Sequence, residues 1–146
     1  MIVPAISPSL SDEVADGASG SHRAWLRAEQ DRAALRRTWA AWFDDHDLLL
    51  LPVMTTAAFP HDHERELLER TIEIDGDQRA LISTIDWLGL IGIVGLPSAV
   101  VPIGRTAAGL PVGMQIVSPS LHDRRSVRAA RLVDDVVGAY QAPPGY

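Results

Sequence analysis

Apolar residues recur at helical spacing early in the chain. Leu35, Trp39, Trp42 and Phe43 fall at i, i+4, i+7 and i+8, and Trp25 and Ala28 extend the stripe backwards. Ser19 or Ser21 is placed to cap this helix, and Asp44-Asp45-His46 ends it. Leu48 to Leu51 is a continuous apolar run closed by Pro52, the pattern of a strand buried on both faces. Residues 53–70 carry Pro60 and a polar cluster, which predicts irregular chain with room for a short helix over Glu64 to Arg70. Thr71 to Ile74 alternates and runs into Asp75-Gly76, a turn signal. Asp77 is expected to cap a helix whose inner face is Leu81, Ile85 and Leu88. Gly89, Gly92 and Gly95 would give that helix a smooth stripe for close packing, at about 1 kcal/mol each relative to Ala. Ser98 to Ile103 and Val112 to Val117 predict a strand pair joined by the loop Gly104 to Gly109, and Pro102 marks an edge or a bulge. Asp123 is expected to open a last helix with Val127, Ala130, Val133 or Asp134, and Val137 turned inward. Gly138 and then Pro143-Pro144 end it.

This order of helix, strand, helix, hairpin, helix predicts an α/β fold with helices covering a mixed β-sheet. Residues 1–20, rich in Ser, Asp, Ala, Gly and Pro, predict a flexible arm or loop, and 21–146 one packed unit. Only about four strands are visible. Three helices are too few to cover a strand that is apolar on both faces, so the fold is expected to be incomplete on its own.

Composition narrows the chemistry. The chain has 146 residues, enough for one domain with a core of its own, and a net charge of −6. The acidic balance argues against nucleic-acid binding, which depends on neutralising phosphates. Cysteine is absent, which excludes disulfides, thiolate zinc sites and cysteine nucleophiles. All 13 basic residues are Arg, so no mechanism that needs a catalytic Lys runs on this chain alone. Met1-Ile2-Val3-Pro4 opens no signal peptide. Trp87 to Gly104 is uncharged, but Pro97 and Pro102 would break a spanning helix, so no membrane association is expected and a cytoplasmic location is.

Candidate sites are sparse. His61-Asp62-His63-Glu64 offers two imidazoles with flanking acids, but no third ligand is indicated, and the reading is a hydrogen-bonded surface loop with no metal. No Gly-x-Ser-x-Gly elbow occurs, and Gly17-Ala18-Ser19-Gly20-Ser21 lies in the arm with no strand before it. Gly89, Gly92 and Gly95 follow a helix, not a strand, and do not form a dinucleotide fingerprint, so no cofactor is expected.

Gly95-Leu96-Pro97-Ser98-Ala99-Val100-Val101-Pro102-Ile103-Gly104, followed by Gly109-Leu110-Pro111-Val112-Gly113-Met114-Gln115-Ile116-Val117, resembles the C-terminal signature stretch of amidase-signature hydrolases. Upstream, Asp47 to Val53 looks like the family's buried strand ending in Pro, and Ala58 to His63, Arg70 to Ile72 and Asp75-Gly76 look like one bacterial subgroup. Downstream, Ser118-Pro119, Asp123-Arg124 and Pro143-Pro144-Gly145-Tyr146 match how these enzymes end. The resemblance runs from about Ser21 to the last residue and implies hydrolysis of a carboxamide C–N bond.

The family works with a serine nucleophile, a second serine on a cis peptide, a lysine base and an oxyanion hole of backbone N–H groups. All belong to its N-terminal and central parts, so no catalytic residue is carried over to this chain. The resemblance implies the C-terminal part of an amidase-signature fold, inactive alone, whose partner is the missing N-terminal portion. A small amide substrate would be bound only in the intact enzyme. Pro52, Val53 and Trp87 are the expected lining of the substrate pocket. Exposed sheet edges predict self-association of the isolated chain. The alternative is a non-catalytic partner-binding module derived from an amidase. An in-frame, Lys-containing, Gly/Ser-rich segment upstream would favour the first reading over the second.

Overall fold

The computed structural model describes residues 20–138 and 140–142. The arm expected over residues 1–20 lies outside them except for Gly20, as do Pro143 and Pro144. Helix α1 spans His22–Trp42, capped by Ser21, whose side chain accepts a hydrogen bond from the Ala24 N–H at 3.3 Å. Strand β1 is Leu49–Pro52. A single 3-10 turn, Leu67–Glu69, leads to β2, Thr71–Ile74, and β3, Asp77–Ala80. A second 3-10 turn, Leu81–Ile85, runs into the short helix α2, Asp86–Gly92. Strands β4, Ser98–Arg105, and β5, Pro111–Val117, follow, and helix α3 spans Asp123–Val137.

The strands form a three-stranded sheet in the order β1-β5-β4 and a separate β2-β3 hairpin. Every pairing among the described residues is antiparallel, where a mixed sheet was expected. A five-residue connection joins β4 to β5, too short for the crossover that parallel neighbours need. Pro102 marks both an edge and a bulge: β4 is an outer strand, and its register with β5 shifts between Pro102 and Gly104.

Alternation along the sheet builds two cores. On one face Val117, with Leu49 and Leu51 beside it, packs against Phe43, Ile91, Trp39 and Trp42 at the end of α1 and on α2. On the other, Ile116, Val101 and Met114 pack under Ala129, Ala130 and Val133 of α3. Ser126 and Ala129 are the buried residues of α3, so its inner face is turned from the expected one, and Val127 and Val137 are about half exposed.

Five other expectations are corrected. Asp77 begins a strand rather than capping a helix. Asp75 and Gly76 both take positive φ, 54° and 86°, and close a two-residue turn that pairs Ile74 with Asp77. The buried side chains beyond it are Thr84, Ile91 and Val94, while Ile85 and Leu88 are exposed, because a 3-10 turn precedes α2 and rotates the helical face. No described atom lies within 4 Å of a Cβ placed at Gly89 or Gly92, and one placed at Gly95 meets only Arg36 Nη2, at 3.6 Å, so the three do not form a helix-packing stripe. Leu50 is 53% exposed, so β1 is covered on one face only: it is the outer strand, and α3 sits over β4 and β5. Trp25 and Leu35 of the expected α1 stripe are likewise bare, as is Leu26.

Candidate functional site

Where β1 ends, the chain turns away through Val53 to Ala58 and leaves an open cleft of about 1130 Å³ against the bulged end of β4 and the start of β5. Two of the three expected pocket residues, Pro52 and Val53, line it. Trp87 does not; it stands half-buried on α2. Gly113 sits at the base of the cleft. A Cβ there would stand 3.2 Å from a Val100 methyl and 3.3 Å from a Val53 methyl, so a glycine lets these side chains close over β5.

The lining is apolar with few polar groups. Arg105 is its one charged residue among those described, and it is held in place by donating to the Gly109 carbonyl at 2.9 Å. Thr55 is fixed through its N–H, which donates to the Thr84 carbonyl at 3.3 Å, while its buried Oγ1 has no partner among the described residues. No Ser, His, Asp or Glu lines the cleft among the described residues. Nucleophilic catalysis needs a base within hydrogen-bond reach of the nucleophile, and the titratable side chains lining the cleft among the described residues are Arg105 and Tyr140.

Serines elsewhere hold the backbone. Ser118 Oγ donates to the His122 carbonyl at 2.9 Å and Ser126 Oγ to the Asp123 carbonyl at 2.8 Å; both residues are buried. The His61 and His63 rings stack face to face, 5.6 Å between centroids. Between them Asp62 accepts from the Glu64 and Arg65 N–H groups and pairs with the Arg65 guanidinium at 2.7 Å. The Glu64 N–H first, and then the guanidinium, hold the Asp62 carboxyl below its ordinary pKa. Among the described residues no group of three or more His, Asp or Glu is placed to hold a metal ion. No helix among them is long and apolar enough to cross a membrane.

Sequence reasoning missed three groups: Arg105, Thr55 and Gln115. Gln115 had a signal, a lone polar side chain inside the apolar run of a central strand. It is 1% exposed, and its Oε1 has no hydrogen-bond partner among the described residues.

Known proteins resemble this chain at several levels. The family model described as Amidase matches residues 8–127. The chain is 33% identical over 121 residues, 82% of its length, to a glutamyl-tRNA(Gln) amidotransferase subunit of Anaeromyxobacter sp. strain K, covering 23% of that protein. It is 28% identical over 116 residues, 80% of its length, to the indoleacetamide hydrolase of Bradyrhizobium diazoefficiens, covering 21% of it. A solved structure described as an amidase superposes with a TM-score of 0.73 at 22% identity, over 91% of this chain and 29% of that one. The chain thus spans about a fifth of the length of the curated relatives it matches.

Proposed function

The chain belongs to the amidase family, and from that premise we propose that it forms the C-terminal portion of an enzyme hydrolysing a carboxamide C–N bond. The family match over residues 8–127, set beside coverage of only about a fifth of the relatives, carries the reading. In it the chain contributes one wall of the acyl pocket and no catalytic side chain. Pro52 and Val53 form the apolar side of that wall. Trp87 meets the substrate through the part of the pocket that the N-terminal portion completes. The nucleophile, its base and the oxyanion donors come from that portion, in keeping with a cleft lined among the described residues by no Ser, His, Asp or Glu. The intact enzyme is read as cytoplasmic, working without a cofactor or metal.

Exposed apolar surface supports the partnership. Among the described residues eight apolar side chains are buried, whereas Trp25, Leu26, Leu35, Leu50, Val100 and others of their size are between 39% and 92% exposed. Soluble monomers rarely leave contiguous apolar patches of more than a few hundred Å² uncovered.

The test is turnover of a simple aryl amide and of indoleacetamide. The purified chain is expected to give none above a buffer blank. Mixed with the N-terminal portion of the indoleacetamide hydrolase, ending where its match to this chain begins, it is expected to give hydrolysis that neither piece shows alone. Steady turnover by the chain alone, lost on heat denaturation, overturns the reading.

A further inference from the structure

The chain carries 19 acidic residues against 13 arginines, yet no Asp or Glu lines the cleft among the described residues. Elsewhere Arg32, Arg65, Arg79 and Arg125 each stand between 2.7 and 3.9 Å from a carboxylate of this chain. Arg105 has no such partner among the described residues, although it is the cationic group of an otherwise uncharged, largely apolar lining. Its place is well fixed. Arg105 ends β4 opposite Pro111, at the base of a tight loop. In that loop the Thr106 N–H donates to the Leu110 carbonyl and the Gly109 N–H to the Thr106 carbonyl, both at 2.8 Å. The Leu110 N–H donates to Thr106 Oγ1 at 3.1 Å. The Arg105 side chain bends back to give Nη1 to the Gly109 carbonyl, and that is its one hydrogen bond among the described residues. A guanidinium has five N–H donors in a planar fork, so most of them stay free for a ligand.

Resting on the reading of this chain as the C-terminal portion of an amidase, we propose that Arg105 makes the cleft selective for amides whose acyl chain ends in a carboxylate. The apolar body of the acyl chain lies along Pro52, Val53 and Val100, and its carboxylate takes the free donors of the Arg105 fork. The amide end is then left to the catalytic groups of the N-terminal portion. Two features favour this class of substrate over a neutral one. An arginine fork matches the two oxygens of a carboxylate. A lining without acids sets no competing anion of the chain against it.

The experiment measures binding of adipamate, the monoamide of adipic acid, and of the neutral diamide adipamide, which has the same length. Titrations of the 146-residue chain are followed by NMR through the methyl groups of Val53 and Val100, which line the cleft. Arg105 is exposed, and an exposed pair of charges is worth at most about five-fold in affinity, so adipamate should bind up to about five-fold more tightly than adipamide. About 1 M salt, with a Debye length of about 3 Å, should narrow the difference. Arg105→Gln should abolish the preference and leave adipamide affinity unchanged. Arg105→Lys, which keeps the charge and loses the fork, should keep part of it. Equal affinities in the wild-type chain overturn the proposal. So does a preference that survives in Arg105→Gln, because the charge is then supplied elsewhere. Loss of both affinities in Arg105→Gln means that the guanidinium only braces the hairpin, and overturns it too. Binding of neither probe overturns the cleft as an acyl site and the carboxylate site with it. None of these outcomes depends on hydrolysis, which the mixture with the N-terminal portion tests separately.

Discussion

Ile116 and Leu50 are cross-strand neighbours on one face of the sheet, yet Ile116 is 0% exposed and Leu50 is 53% exposed. Truncating each to Ala removes the same number of carbon atoms in two different environments. At Ile116 the lost atoms leave a cavity beneath Ala129 and beside Val101, which the surrounding sheet and helix can only partly close. Fully buried Ile→Ala changes cost about 2–5 kcal/mol, and complete burial in a central strand points to about 4. At Leu50 half the side chain is already in water and no enclosed cavity forms, which reduces the cost to about 1 kcal/mol. With an m-value of about 2 kcal/mol/M, the urea midpoints should fall by about 2 M and about 0.5 M respectively. Circular dichroism reports the backbone in this titration. Trp39 and Trp42, on the opposite face of the sheet, report whether both cores are lost together. Adding the N-terminal portion of an amidase should enlarge the Leu50→Ala penalty and leave the Ile116→Ala penalty nearly as it was. Equal shifts in the isolated chain, or a Leu50 penalty that the partner does not change, would refute the reasoning that β1 has one unfinished face.

The remaining predictions concern surface and solution behaviour. The isolated chain should bind ANS and self-associate on light scattering, because bare apolar side chains and two sheet edges are exposed and a charge of −6 is screened within about 8 Å at physiological salt; a sharp monomer peak without dye binding counts against this. Zinc should not raise the melting temperature, since His61 and His63 offer two nitrogens and no third ligand among the described residues; a rise that His61→Ala abolishes overturns it. Asp62 has a folded pKa below its unfolded value near 3.8, so its contribution to the 62–65 turn is present above that value and lost as the pH falls through the lower folded one. The Glu64 and Arg65 amide resonances, followed by NMR, should therefore hold steady from pH 7 to about 4 and move only below it, whereas movement centred near pH 6 contradicts the assignment.

Elements were legible in the sequence wherever local chemistry decides them. Ser21 capping α1, the β4-β5 hairpin and the behaviour of Pro102 all follow from hydrogen-bond donors and φ restrictions within a few residues. Asp77 went astray because Asp serves equally as a helix cap and as the residue after a two-residue turn. The positive φ values at Asp75 and Gly76 decide between the two. Which face of a helix is buried depends on what lies opposite, and that was not local. Trp25, Leu35, Ile85 and Leu88 have the apolar character of a core stripe but find no described cover. Of the expected pocket residues, Pro52 and Val53 came from the resemblance to the amidase-signature family, through the strand end that they close, and both line the open cleft. The cleft, Arg105 and the unpartnered Gln115 oxygen emerge only once three strands are brought together.

Amide hydrogen exchange of the chain with and without the N-terminal portion of the indoleacetamide hydrolase tests the two-part account most directly. Among the described residues both edges of the β1-β5-β4 sheet are unpaired, whereas β5 is paired on both sides. The account predicts that amides of Leu49 to Leu51 or of Ser98 to Ile103 gain at least about ten-fold protection on mixing, as an edge takes up a new strand or is covered, while β5 amides change little. Exchange at both edges that is the same with and without the partner, in a chain that remains folded, would contradict it.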